Sequence, residues 1–149
     1  MVRLAFDMEA QSSADKLWGG IKETTTLFPK IFPEQIKSIE VLEGDGFSVG
    51  TIRLLKYAEG TPMTTFVKEK IEFVDIPNKT IVCRLVDGEI TSLYKNIKAK
   101  IQVVPKGSGS LVKWSAELEK LSNDVPDPIM IQDYAAKFIS GLDAYLLKA

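Results

Sequence analysis

Asp127-Pro-Ile-Met-Ile-Gln-Asp-Tyr-Ala-Ala-Lys-Phe-Ile-Ser-Gly-Leu-Asp-Ala-Tyr-Leu-Leu147 reads as one long helix near the end of the chain. Asp127 and Pro128 are good starting residues, and Pro126 blocks continuation from upstream. Ile131, Tyr134, Ala135, Phe138, Leu142, Tyr145 and Leu146 recur at helical spacing and form one apolar stripe. Gln132, Lys137, Asp143 and Lys148 fall away from it. Such a stripe must cover another apolar surface, and the residues upstream supply one.

From Gln35 to Leu121 the texture is that of strands separated by turn residues. The spacing predicts strands over Ile36–Glu43, Thr51–Tyr57, Thr64–Asp75, Thr80–Asp87, Leu93–Val104 and Leu111–Leu121. The breaks are Gly44-Asp45-Gly46, Glu59-Gly60-Thr61-Pro62, Pro77-Asn78, Asp87-Gly88 and Pro105-Lys106-Gly107-Ser108-Gly109. Connections this short join antiparallel strands, because a parallel crossover needs about a dozen residues. At the start, Val2, Leu4, Phe6, Met8 and Ala10 alternate with polar residues as a further half-buried strand. Ser12 and Ser13 then offer N-caps for a short helix from Ala14 to about Glu23, weakened by Gly19 and Gly20. A second short helix, Thr25 to Phe32, stops at Pro33. The expected fold is α+β: seven antiparallel strands curled around the terminal helix, with two short helices after the first strand.

The 149 residues and 16.5 kDa suit one domain, residues 1–149, with 45% hydrophobic and 26% charged residues. Nineteen basic and twenty acidic residues leave a net charge of -1, so no field of one sign gathers a phosphate backbone and no nucleic acid partner is expected. No apolar run reaches the ~18 residues that span a bilayer. Acids interrupt the apolar N-terminal stretch, which does not read as a signal peptide. With the single cysteine, Cys83, excluding an intrachain disulfide, the expectation is a cytoplasmic protein, monomeric or weakly homodimeric. The absence of histidine removes the usual Ser-His-Asp and Cys-His systems and histidine-ligated metals. No metal and no cofactor are expected, and chemistry falls to carboxylates, lysine, tyrosine, the lone thiol or the shape of a pocket.

Several stretches resemble the major latex proteins of plants: Ser110-Leu-Val-Lys-Trp-Ser-Ala-Glu-Leu-Glu-Lys-Leu-Ser-Asn-Asp-Val-Pro-Asp-Pro128, Ser13-Ala-Asp-Lys16, Val41-Leu-Glu-Gly-Asp45 and Val103-Val-Pro-Lys-Gly107. The resemblance runs from Leu4 to Leu147 and places the chain in the superfamily of the birch pollen allergen and the class-ten pathogenesis-related proteins. It implies the helix-grip fold and an internal cavity for apolar plant metabolites. It also implies a second possibility, a cofactor-free cyclase, isomerase or condensing enzyme of specialised metabolism using the same cavity. The chain departs from its relatives in a shifted glycine-rich loop, Gly44-Asp-Gly-Phe-Ser-Val-Gly50, and in lacking histidines that many of them carry.

Matched to the family pattern, Leu55, Tyr57, Phe66, Ile81, Cys83 and Leu85 are expected to face the cavity. So are Ile97, Ala99 and Ile101 from the sixth strand, and Ile131, Tyr134, Ala135, Phe138 and Leu142 from the helix. Small residues among these and their neighbours (Cys83, Ala99, Ala116, Ala135 and Gly141) leave volume unfilled unless helix and sheet close the gap. A fully packed core is the competing reading. Polar candidates for the interior are Arg53, Glu69, Tyr57, Tyr94, Lys95 and Tyr134. Arg53 and Glu69 match positions where relatives carry a basic and an acidic residue near the cavity, and they read either as an inward pair or as solvated strand-face charges. Glu69 and Tyr57 are the candidate acid/base groups of the enzymatic reading, with Arg53 or Lys95 as electrostatic partner. Lys68-Glu-Lys-Ile-Glu72 otherwise reads as an outer strand face with cross-strand ion pairs. Cys83 reads as a small buried hydrophobe. The glycine-rich loop joins strand to strand, which favours a turn over a phosphate cradle. The loops after Tyr57 and Asp87 and the segment Phe28–Pro33 are the expected gate.

Overall fold

The computed structural model describes residues 1–60 and 65–148; the Thr61-Pro62 break and the expected strand start at Thr64 lie outside the described residues, as does Ala149. The chain runs β1 (Val2–Ala10), α1 (Ala14–Lys22), α2 (Thr24–Ile31), β2 (Ile36–Glu43), β3 (Ile52–Tyr57), β4 (Phe66–Asp75), β5 (Thr80–Gly88), a single 3-10 turn (Glu89–Ser92), β6 (Tyr94–Lys106), β7 (Gly109–Lys120) and α3 (Ile129–Lys148). The seven strands form one antiparallel sheet in the order β1-β7-β6-β5-β4-β3-β2. Register shifts in β2–β3, β4–β5 and β6–β7 add local bends, and the sheet curls around α3. The 3-10 turn is the one element with no counterpart in the sequence pattern, being four residues long.

Period two governs what points inward. Leu4 and Ala10 of β1 are buried, and so are Val112, Trp114, Ala116 and Leu118 of β7. On α3 the stripe buries Leu142 and Leu146, and Ile139, outside the expected stripe, is buried beside them. Gly20 is the reason α1 approaches so closely: a Cβ there would lie 2.8 Å from Cδ1 of Leu146 and 3.1 Å from Cδ1 of Leu142. The glycine that weakens α1 as a helix therefore permits its packing on α3.

Polar contacts fix the helices to the sheet. Ser13 caps α1 by accepting the Lys16 amide at 3.2 Å. Tyr94 is fully buried and its hydroxyl donates to the Pro126 carbonyl, while Lys120 pairs with Asp127 at 2.6 Å. These two contacts anchor the entry to α3. Asp143 accepts the Gln11 amide at 3.0 Å and the Ser12 amide at 2.9 Å, tying α3 to the β1–α1 junction. Burial alone would raise its pKa, and the hydrogen bonds from Ser12 and Gln11 outweigh that, holding it below the ordinary carboxylate value. Asp143→Ala is expected to cost about 2 kcal/mol in urea unfolding near neutral pH. Because the folded-state pKa is the lower one, this stability is present above the unfolded value of ~3.9 and drains as the pH falls below it. The gap between wild type and variant should therefore narrow as the pH falls through the depressed folded-state pKa.

Candidate functional site

The sheet and α3 do not meet everywhere. Register places Cys83 beside Ala99 and Ala99 beside Ala116, so three small side chains lie in a row across β5, β6 and β7. Ala135 of α3 lines the same space. What remains is a cavity of about 270 Å³. A packed interior holds few voids larger than a water, so this one marks a departure from ordinary core packing.

The walls contain nearly all the residues expected there. Leu55 and Tyr57 come from β3, Ile81, Cys83 and Leu85 from β5, and Ile97, Ala99 and Ile101 from β6. Ile131, Tyr134, Ala135, Phe138 and Leu142 come from α3. Phe66 is a correction. It pairs with Lys56 on the outer face, beside Leu54 and Lys68 in a shallow surface groove, because Val67 and Glu69 take the inward positions of β4. Gly141 is a second correction: a Cβ there would overlap the ring of Phe32, so its missing side chain seats an aromatic instead of enlarging the cavity. Tyr94 and Lys95 do not line it either; the first is spent on Pro126 and the second is exposed.

The sequence reading did not name Ile21, Thr24, Ile39, Val67, Ile90, Met130 and Ile139 as cavity walls. Two of these carried a usable signal: Val67 lies two residues before Glu69 on one strand face, and Ile139 lies four after Ala135 on the helix. Ile39 stands opposite Leu55 in the β2–β3 register, whereas Thr24 and Ile90 sit on other elements whose docking brings them in.

At one wall the apolar lining is interrupted. Arg53 and Glu69 stand directly opposite in the β3–β4 register and form an ion pair. Their side chains are 8% and 15% exposed, which decides for the inward pair over solvated strand-face charges. The run from Lys68 to Glu72 accordingly splits, with Glu69 and Ile71 inward and Glu72 outward, where it pairs with Arg84 and Lys98. Arg53 Nη1 donates to Thr24 Oγ1 at 3.0 Å and Nη2 faces Cys83 Sγ at 3.9 Å; its Nε is buried and has no hydrogen-bond partner among the described residues. Burial opposes the Arg53 charge, and Glu69 beside it offsets that, leaving the pKa above its ordinary value. Burial also pushes the Tyr57 hydroxyl and the Cys83 thiol up, each reinforced by the Glu69 charge. Both stay protonated at neutral pH, so Cys83 is a packing residue and not a thiolate nucleophile.

An aromatic cluster flanks the cavity where α2 meets α3. Phe138 packs on Phe28, Phe32 and Tyr134, with ring centroids 5.5, 4.9 and 5.9 Å away. The segments after Tyr57 and Asp87 are linked, because Glu89 accepts the Thr65 amide at 2.9 Å and its hydroxyl at 2.7 Å. The glycine-rich loop offers amides to an anion, and that anion is its own: Asp45 Oδ1 accepts Phe47 N at 2.9 Å and Ser48 N at 2.7 Å. The Ser48 hydroxyl and these amides hold the Asp45 pKa far below its ordinary value. The loop is a self-satisfied turn, with Gly44, Gly46 and Gly50 at φ of 87°, 102° and 94°.

Comparison with known proteins agrees with this architecture. The profile of the Pathogenesis-related protein Bet v 1 family matches residues 2–149. MLP-like protein 423 of Arabidopsis thaliana is 43% identical over 145 residues, covering 97% of this chain and 94% of that protein. The crystal structure of major latex-like protein 151 from Panax ginseng superposes with a TM-score of 0.88 at 25% identity, covering 98% of this chain and 97% of the other. Norcoclaurine synthase from Thalictrum flavum, solved with dopamine and hydroxybenzaldehyde, gives a TM-score of 0.84 at 23% identity, over 99% of this chain and 87% of that one. That last likeness speaks to the fold alone. Among the described residues no helix is long and apolar enough to cross a membrane.

Proposed function

The chain belongs to the Pathogenesis-related protein Bet v 1 family, and from that membership we propose that it takes up a small hydrophobic plant metabolite into the space between sheet and α3. The observation that carries this reading is the 270 Å³ cavity, walled by hydrocarbon with a few polar groups at one side. An apolar cavity of ~150 Å³ holds one benzene, so this space suits a skeleton on the order of ten to twelve carbons. That is the size of a small terpenoid or bicyclic aromatic. Affinity comes from apolar burial at about 25 cal/mol per Å². Titration with methylnaphthalene, followed by its fluorescence, is expected to saturate at one molecule per chain. Unsaturable partition into the sample would contradict the reading.

One arrangement favours a second reading, a cofactor-free cyclase or isomerase in the same cavity. The Tyr57 hydroxyl, kept protonated by burial, shares a wall with the Glu69 carboxylate. Such a pair can donate to a carbonyl and accept a proton from a neighbouring carbon. The ion pair with Arg53 holds the Glu69 carboxylate in place at that wall. On this reading Tyr57→Phe and Glu69→Gln each change the product distribution obtained from a reactive dialdehyde. Distributions identical to the spontaneous reaction in wild type and both variants would remove it.

A further inference from the structure

The charge balance of the cavity wall limits what can enter. Among the described residues lining it, Arg53 and Glu69 are the charged ones, and they neutralise each other. Arg53 is only 7% exposed and its Nη groups already face Thr24, Glu69 and Cys83. An entering carboxylate therefore meets a guanidinium whose charge is spent and a carboxylate that repels it. An entering ammonium meets the converse, and either ion gives up its hydration to an apolar space. An uncharged hydroxyl pays much less. The Tyr57 and Tyr134 hydroxyls also line the space, and among the described residues neither has a hydrogen-bond partner.

We infer that the cavity is selective for an uncharged molecule bearing a hydroxyl or carbonyl, and that Glu69 is the residue setting this preference by cancelling Arg53. A ligand hydroxyl donates to Glu69 and accepts from a tyrosine; a ligand carbonyl accepts from the tyrosines alone. This rests on the reading of the cavity as a binding site and adds to it the polarity of the occupant. It also makes the preference reversible: without the Glu69 charge, Arg53 becomes an unpaired buried cation that attracts an anion.

The test is a matched series on one skeleton: methylnaphthalene, naphthylmethanol, naphthoate and naphthylmethylammonium, titrated into the wild-type protein at neutral pH. Naphthylmethanol is expected to bind about fivefold to tenfold tighter than methylnaphthalene, the worth of one or two net hydrogen bonds. Naphthoate and the ammonium are expected to bind at least thirtyfold weaker than the alcohol. In Glu69→Gln the ratio of naphthoate to naphthylmethanol affinity should rise at least tenfold. Naphthoate binding as tightly as the alcohol to wild type overturns the inference, as does an alcohol no tighter than the hydrocarbon. The hydrocarbon separates the two levels of argument: if it binds while the ranking fails, the binding site stands and the charge rule falls. If no member binds, both fall. The wild-type ranking decides the matter even where Glu69→Gln does not fold.

Discussion

Ala99→Trp is expected to weaken methylnaphthalene uptake at least tenfold and to leave the fold standing. Ala99 sits in the middle of the Cys83, Ala99, Ala116 row, facing the void under α3. In a filled core, inserting an indole there would force strain of about 1–3 kcal/mol or more. Here the indole enters existing space and gains apolar contacts, so thermal stability should hold or rise. Affinity should fall at least tenfold, which is about 1.4 kcal/mol, because indole and ligand compete for one volume. Ala135→Trp fills the same space from the helix side and should behave alike. Uptake unchanged in both variants would mean that the ligand sits elsewhere. A collapse of both folds would mean that the interior has no room.

Arg53→Met is expected to be strongly destabilising although it nearly conserves side-chain volume. It leaves Glu69, only 15% exposed, without its partner in an apolar wall. Breaking a buried ion pair in this way costs about 3–5 kcal/mol, a large part of a typical total of ~5–15 kcal/mol. The double variant Arg53→Met/Glu69→Leu removes both charges and should recover most of the loss. Urea unfolding of wild type, both singles and the double closes the cycle. A single-variant loss under ~1 kcal/mol would match a solvent-screened surface pair and would contradict the burial of this one.

Much of this was legible in the sequence because it depends on periodicity. The α3 stripe and the alternation in β6 and β7 follow from 3.6- and 2-residue repeats, and the small residues Cys83, Ala99 and Ala135 announced unfilled volume. Periodicity fails where a contact is set by docking. The pattern marks Gly141 as a small residue, but only the docking of Phe32 into its notch shows what its missing side chain admits. Phe66 fell one residue from the inward set of its strand, and a slip of one position reverses the face. The Arg53–Glu69 pair shows the same limit from the other side, since residue types alone left open whether the charges face water. The register sets the two residues opposite one another, and their burial against the cavity decides it. Likewise, Asp45 satisfying its own loop and Asp143 gripping the β1–α1 junction are local hydrogen-bond facts that no hydrophobic pattern carries.

The most direct test is where a bound apolar molecule lies. With methyl-labelled protein and saturating methylnaphthalene, intermolecular nuclear Overhauser contacts are expected to the methyls of Ala99, Ala135 and Leu142, from the sheet and the helix at once. Contacts confined to exposed apolar residues such as Val49 and Ile76, with none to those interior methyls, would contradict the account.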